Sequence, residues 1–222
     1  MRLSIIVPVL DEAAVIVQAL AALAPLRAAG HEVIVVDGGS NDGTETLAAP
    51  LSDRVVRAPR GRARQMNAGA AVAGGDALLF LHADTRLPER ADALVAAALA
   101  QRPWGRFDVR IEGRSALLPV IAFFMNRRSR LTGIATGDQA IFVRRDAFVG
   151  FPDLALMEDV AFSAAMRSHA RPACLRSRVV TSGRRWDERG ALRTMLLMWR
   201  LRLAYRLGAA PDDLARRYAG RT

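Results

Sequence analysis

Val33-Ile34-Val35-Val36-Asp37-Gly38-Gly39-Ser40-Asn41-Asp42-Gly43 is the stretch on which the fold class turns. Its four β-branched residues run without alternation, which reads as a strand buried on both faces, as in parallel sheets. The strand runs straight into Asp37, and the glycines and small polar residues after it spell a loop. Upstream, Leu3 to Val9 is a second such run, with Pro8 near its end, where a missing N–H matters least. Between the two, Asp11 precedes an alanine-rich apolar stretch that predicts one helix closed by Gly30. Downstream come a short helix from Thr44, a third strand at Val55-Val56, and a helix from Arg64 to Val72 stopped by Gly74-Gly75. A fourth strand, Ala77 to Leu81, ends in His82-Ala83-Asp84, and Pro88 opens a helix through Gln101. This alternation predicts an α/β fold with a mostly parallel central sheet flanked by helices, its first half Rossmann-like if crossovers are right-handed.

The second half is less regular. Phe107 to Ile111, Gln139 to Arg144 and Cys174 to Thr181 read as strands, and Ser115 to Arg130 and Met157 to His169 as helices. From Glu188 to Leu207 a helix carries Leu192, Met195, Leu196, Trp199, Leu203 and Leu207, interleaved with Arg193, Arg200, Arg202 and Arg206. The plainer reading packs its apolar face on the core and leaves the arginines in water. The other lays it on an anionic membrane, which would suit a lipid-linked acceptor.

The chain has 222 residues, 51% of them apolar, which excludes disorder and suits a single domain over 1–222 with a basic helical segment at about 187–219. Its net charge of +10 points to nucleic acid, a membrane surface or an anionic substrate. All 32 basic residues are arginine, however, so a general compositional bias explains the surplus as readily. One cysteine, Cys174, excludes an internal disulfide and a cysteine-rich zinc site. The apolar run after Arg2 is broken by Asp11 and Glu12, unlike a secretory leader. The longest apolar candidate, Ala116 to Met125, falls short of the roughly 18 residues a membrane span needs. A cytoplasmic protein is expected, with peripheral contact at the inner membrane face left open.

In open α/β sheets, ligands bind beyond the carboxyl ends of the strands. Two strands here lead into aspartates, Asp37 and Asp84. The bland reading of Asp37 is a turn cap, since glycine and serine follow it. Asp84 is better placed for a ligand, because Pro88 puts the next helix start further on. Dinucleotide, Walker A and nucleophile-elbow motifs are absent. His31, His82 and His169 lack zinc spacing, and His31 and His169 read as solvated surface residues.

Six segments, in order, resemble glycosyltransferase family 2. They are Ile5 to Glu12, Val35 to Thr44, Gly61 to Gly69, Leu79 to Thr85, Gly137 to Arg145 and Met157 to Val160. The arginine-rich third segment together with His82-Ala83-Asp84 is similar to a bacterial subgroup labelled for arsenosugar biosynthesis. The resemblance implies the A-type glycosyltransferase (GT-A) fold and inverting, metal-assisted transfer from a UDP- or GDP-linked sugar to an acceptor hydroxyl. By the same resemblance, Pro8 and Glu12 would shape the nucleotide pocket, and Asp37 would bind the base or ribose. Arg62 and Arg64 would reach the base or pyrophosphate, and Asp84 would hold a divalent cation, Mg2+ or Mn2+. Gly137 and Asp138 would line the acceptor or sugar side. Asp159 would be the general base with Glu158 beside it. Arg184 and Arg185, with Trp186 towards the acceptor, match a later arginine-tryptophan element near the diphosphate. The chain departs from the family at His82, which stands among the nucleotide-binding residues where an aspartate is usual. One carboxylate is lost there, and metal binding leans on Asp84, phosphate and water.

The bland reading of Glu158-Asp159 is an acidic first turn that complements a helix dipole. A nucleotidyltransferase acting on a sugar phosphate is an alternative, although its usual lysine-bearing glycine loop is missing. A basic nucleic-acid-binding module is the other, but 6% aromatic residues give it few stacking partners; no nucleic-acid partner is expected.

Overall fold

In the computed structural model, which describes residues 1–220, the apolar runs form the strands they predict. The last two residues of the domain expected over 1–222 lie outside the described residues. In chain order the elements are β1 (Leu3–Val9), α1 (Ala13–Ala21), α2 (Ala24–Ala28), β2 (Glu32–Asp37), α3 (Thr44–Ala48), β3 (Arg54–Arg57), α4 (Arg62–Val72), β4 (Ala77–Phe80) and β5 (Thr85–Arg86). Then follow α5 (Ala91–Leu99), β6 (Trp104–Glu112), α6 (Leu118–Thr132), β7 (Phe142–Arg144), α7 (Glu158–His169), β8 (Ala173–Ser182), α8 (Arg184–Arg189), α9 (Ala191–Arg206) and α10 (Pro211–Ala219).

One sheet runs in the order β3-β2-β1-β4-β7-β6-β8-β5. Strands β3, β2, β1 and β4 are mutually parallel, as the alternation predicts. Beyond β4 the sheet is mixed, since β7 runs antiparallel to both β4 and β6. The unalternating runs are explained by burial on both faces. Leu3, Ile5, Val7, Val33 and Val35 face one apolar cluster with Ile16, Leu20 and Val95 of the helices. Ile6, Ile34 and Val36 face the other, with Met66 of α4 and Phe162 of α7. Each such side chain contributes about 1.5–3 kcal/mol by leaving water.

At the amino ends of the strands sits a buried carboxylate, Glu32. It accepts the Ser4 hydroxyl and the N–H groups of Gly74, at 2.5 Å, and Gly75, at 3.0 Å. Burial pushes its pKa up, but these hydrogen bonds and Arg2 outweigh burial and hold it below the usual range. The cluster bolts β1 to β2 and to the turn before β4.

Four expectations need correction. The single helix up to Gly30 is two, because Pro25 has no N–H to give the carbonyl four residues back. Helix α5 starts at Ala91, not Pro88, since Arg90 is left-handed (φ 55°) and cannot join it. His31 is not solvated: its side chain is 8% exposed, its Nδ1 accepts the Leu3 N–H at 3.1 Å, and its Nε2 lies 3.4 Å from Asp92. A buried backbone N–H requires such an acceptor. Finally, α9 turns Leu192, Leu196, Trp199, Leu203 and the flanking Leu207 outward. A second apolar stripe, which includes Leu197, Leu201 and Tyr205, packs inward against Met157 and the Leu214 face of α10.

Candidate active site

Strands β1, β2 and β4 end side by side, with Val9 opposite Asp37 and Ile6 opposite Phe80. The loops after β1 and β2 are laced together. The Asp11 N–H donates to Ser40 Oγ, the Glu12 N–H to Thr44 Oγ1, and the Ala13 N–H to Asp42 Oδ2, all at 2.9 Å. Asp37 is committed to this lacing: its Oδ2 accepts the N–H groups of Gly39 at 3.0 Å and Ser40 at 2.9 Å, and its Oδ1 takes the Ser40 hydroxyl. From α4, buried Gln65 donates to the carbonyls of Val9 at 2.7 Å and Val36 at 2.9 Å. Two residues along, Asn67 exchanges two hydrogen bonds of 2.8 Å with the backbone of Phe151, which pins the segment before α7.

The opposite wall is built from His82, a short turn at Gly137–Gln139, and the start of α7. His82 Nδ1 lies 3.3 Å from Asp138 Oδ1. Its ring rests against Gly137, where an added Cβ would sit 2.6 Å from Nε2, so a side chain there would displace the imidazole. Thr136 and Gln139 form a reciprocal capping box around this turn. The Gly137 N–H donates to Asp159 Oδ2 at 2.9 Å, and the Val160 N–H to Asp159 Oδ1 at 2.7 Å. Pro8, His82, Gly137, Glu158 and Asp159 all line one pocket.

The carboxylates here have unlike environments. Glu158 is buried, which pushes its pKa up, and the neighbouring Asp159 charge raises it further, to about 7. Burial also raises Asp159, against the two N–H groups it accepts. Two adjacent carboxyls in this state favour sharing one proton. Buried Glu158 is the better home for it, which leaves half-buried Asp159 as the anion facing the pocket. For Asp138 the balance is reversed: burial raises it, but the His82 hydrogen bond and the charges of His82, Arg62 and Arg185 bring it below its ordinary value.

Asp84 follows His82 and Ala83 past the end of β4. Its carboxylate accepts only a 3.3 Å contact from Thr85 Oγ1, and it has no ion pair among the described residues. Its backbone carbonyl accepts the Ser182 N–H of β8 at 3.2 Å. Glu12 is raised by burial, with Arg184, 3.9 Å away, lowering it and the Asp84 charge raising it. Arg185, stacked 4.5 Å over Tyr218, is depressed by burial and by the charges of Arg62 and Arg189. Arginines gathered against their own repulsion favour an anionic ligand. Among the described residues no three His, Cys, Asp or Glu side chains gather as a closed metal cage. A free carboxylate beside an anion-binding arginine group does fit Mg2+ or Mn2+, which keep waters and take phosphate oxygens as ligands.

The structure thus brings together Pro8, Glu12, Arg62, His82, Asp84, Gly137, Asp138, Glu158, Asp159, Arg184 and Arg185. Three expected residues have other engagements. Arg64 pairs with Asp153 at 2.9 Å on the surface, Asp37 closes its own turn, and Trp186 packs against the core. Two residues escaped sequence reasoning. Gln65 lies inside the resembling segment but carried no assigned role. Arg128 of α6 is depressed by burial while the Asp159 charge raises it, and its Nε and Nη2 are buried without a partner among the described residues. One arginine among 32 gave no signal of that placement.

The family model "Glycosyl transferase family 2" matches residues 4–156. A PGL/p-HBAD biosynthesis glycosyltransferase of Mycobacterium tuberculosis (strain ATCC 25177 / H37Ra) is 40% identical over 102 residues, 43% of this chain. The match spans 40% of that relative's length, and the same figures hold for Mycobacterium bovis proteins. Among solved structures, S. aureus TarS 1-349 in complex with UDP-GlcNAc superposes with a TM-score of 0.65 at 19% identity, covering 82% of this chain and 58% of that one. The mannosyltransferase PcManGT from Pyrobaculum calidifontis, in complex with GDP-Man and Mn2+, gives 0.65 at 23% identity, covering 97% and 68%. Glucosyl-3-phosphoglycerate synthase from Mycobacterium tuberculosis, with Mg2+ and UDP, gives 0.60 at 19%, covering 81% and 70%. At such identities these likenesses establish a shared fold, the GT-A architecture.

Proposed function

This chain belongs to glycosyl transferase family 2, and from that premise we propose that it moves a sugar from a nucleoside diphosphate sugar to an acceptor hydroxyl, inverting the anomeric carbon. The observation that carries the reading is a carboxylate without an ion pair among the described residues, Asp84, whose charge acts on Arg185, together with two neighbouring carboxyls, Glu158 and Asp159, both raised by burial in the pocket. Negative charge grows on the leaving diphosphate, and Arg62, Arg184 and Arg185 are placed to stabilise it. Asp84 would hold a Mg2+ or Mn2+ ion, which when bound shields the diphosphate as a Lewis acid. Asp159 takes the acceptor proton, held in aim by the Gly137 and Val160 N–H groups. Glu158 retains the shared proton and so keeps a second negative charge away from the base. Gly137, Asp138 and His82 form the wall on the sugar side. Names of relatives that are glycosyltransferases, and neighbours solved with UDP-GlcNAc or GDP-Man, support the donor class. A cytoplasmic setting agrees with the lone free thiol, Cys174.

The test is thermal stability with UDP and with GDP, each with and without Mn2+. One of them should stabilise the chain only with metal, by about 2.7 kcal/mol at a hundredfold excess over its Kd. Asp84→Ala should remove that shift. No shift under any condition would overturn the donor site, and pyrophosphate release from a nucleoside triphosphate would favour a nucleotidyltransferase instead. Inversion is read separately, from the anomer of the product by NMR.

A further inference from the structure

Ten of the fourteen exposed large apolar side chains among the described residues lie on α6, α9 or the residues flanking them. On α9 and its C-cap they are Leu192, Leu196, Trp199, Leu203 and Leu207, spaced so that all fall on one narrow stripe of the helix. Trp199 and Leu203 are each 59% exposed. The same helical spacing puts Arg193 and Arg200 on one flank of the stripe and Arg202 and Arg206 on the other, and α9 contains no acidic residue. On α6, Phe123 and Phe124 are 59% and 58% exposed, Arg127 lies beside them, and again no acidic residue occurs. The two helices occupy one side of the molecule. Ile121 and Ala122 of α6 and Ala191 and Met195 of α9 pack on the same core cluster, and the Arg206 charge reaches Arg128.

We propose that α9, with the outward face of α6, is a docking surface for an anionic lipid bilayer. Sixteen residues make α9 about 24 Å long, and no helix of the described residues is long and apolar enough to cross a membrane. The geometry is that of a helix lying in the interface plane: apolar stripe towards the acyl chains, arginines level with the headgroups, tryptophan at the boundary. The charge selects the occupant. A second copy docked by two-fold symmetry would set the same arginines against each other, whereas phosphate headgroups complement them. The inward stripe of α9 packs Leu201 beside Met157, the residue that precedes Glu158, so docking would hold the acceptor side of the cleft near the bilayer. The surface stands independently of the sugar-transfer reading.

The experiment is co-sedimentation of the full chain with phosphatidylglycerol-containing vesicles and with pure phosphatidylcholine vesicles, at about 0.1 M and about 0.5 M salt. Binding should require the anionic lipid and weaken at the higher salt. The double variant Trp199→Glu, Leu203→Glu should lose about tenfold or more of its partitioning. Its urea midpoint, measured alongside, should stay at the wild-type value. Val17→Glu on α1 and Leu47→Glu on α3, exposed apolar sites outside both helices, should bind as wild type. Absence of binding to anionic vesicles, or equal binding by the double variant, overturns the proposal. So does a wild-type dimer in light scattering that the double variant dissolves, since a second copy would then cover the face. None of these readouts depends on transferase activity.

Discussion

Glu158→Gln keeps the shape of a buried side chain and removes its charge, so it isolates what that charge costs. The folded protein raises Glu158 from 4.5 to about 7. Between those values the folded state holds the proton more tightly than the unfolded chain does, so stability falls as pH rises through the window. Above pH 7 the ionised, buried group costs about 3 kcal/mol relative to its neutral form. Asp159 shares the proton and takes part of this, which leaves about 2 kcal/mol for Glu158 alone. The variant should therefore match wild type closely at pH 5 and exceed it at pH 8 by about 2 kcal/mol, or about 4–8 °C in Tm for a chain of this size. Urea denaturation of both proteins at pH 5, 6, 7 and 8 measures the gap. A gap that stays constant with pH, or that narrows as pH rises, would refute the account of a shared proton resting on Glu158.

Asp159→Asn should fold normally and lose about 10²- to 10⁴-fold in kcat in a sugar-transfer assay, as expected when a general base is removed. Gly137→Ala should cost about 1–3 kcal/mol, because its Cβ would meet His82 Nε2 at 2.6 Å. Adding His82→Ala should return most of that loss, which a double-mutant cycle of denaturation midpoints would detect. Gln65→Leu should destabilise by about 1–3 kcal/mol, mainly through Val36, since the Val9 carbonyl keeps the Gly38 N–H. Arg128→Met should stabilise by about 1 kcal/mol or more in the same assay, by removing a buried cation whose Nε and Nη2 have no partner among the described residues.

The parallel half of the sheet was legible because strands buried on both faces leave a signal that depends on nothing distant. The positions of Asp84 just past β4 and of Glu158-Asp159 at the start of α7 followed from the same strand and helix signals, while a chemical role for the pair came only from the family resemblance. Elsewhere the outcome depended on partners that no local pattern names. Arg64 pairs with Asp153, 89 residues further on, which nothing in its own segment specifies. His31 was drawn inward by an N–H of β1. Helix α9 has two apolar stripes, and periodicity cannot say which faces inward. Met157 and α10 decide that by covering the Leu201 side. Arg128 was invisible because arginine is the chain's only basic side chain apart from histidine.

Glu32 and the amides it gathers lie at the far end of β1, β2 and β4 from Asp84 and Glu158. Foundation and workface are thus opposite ends of one sheet, spanned by β1, β2 and β4. Changes in the loops after β1, β2 and β4 can alter which donor or acceptor is accepted without loosening the bolt beneath. A change at Glu32, Ser4 or Gly75 threatens every version of the enzyme alike. Substitution therefore has a direction in this scaffold: the carboxyl rim can change without touching the Glu32 cluster, and the amino rim cannot.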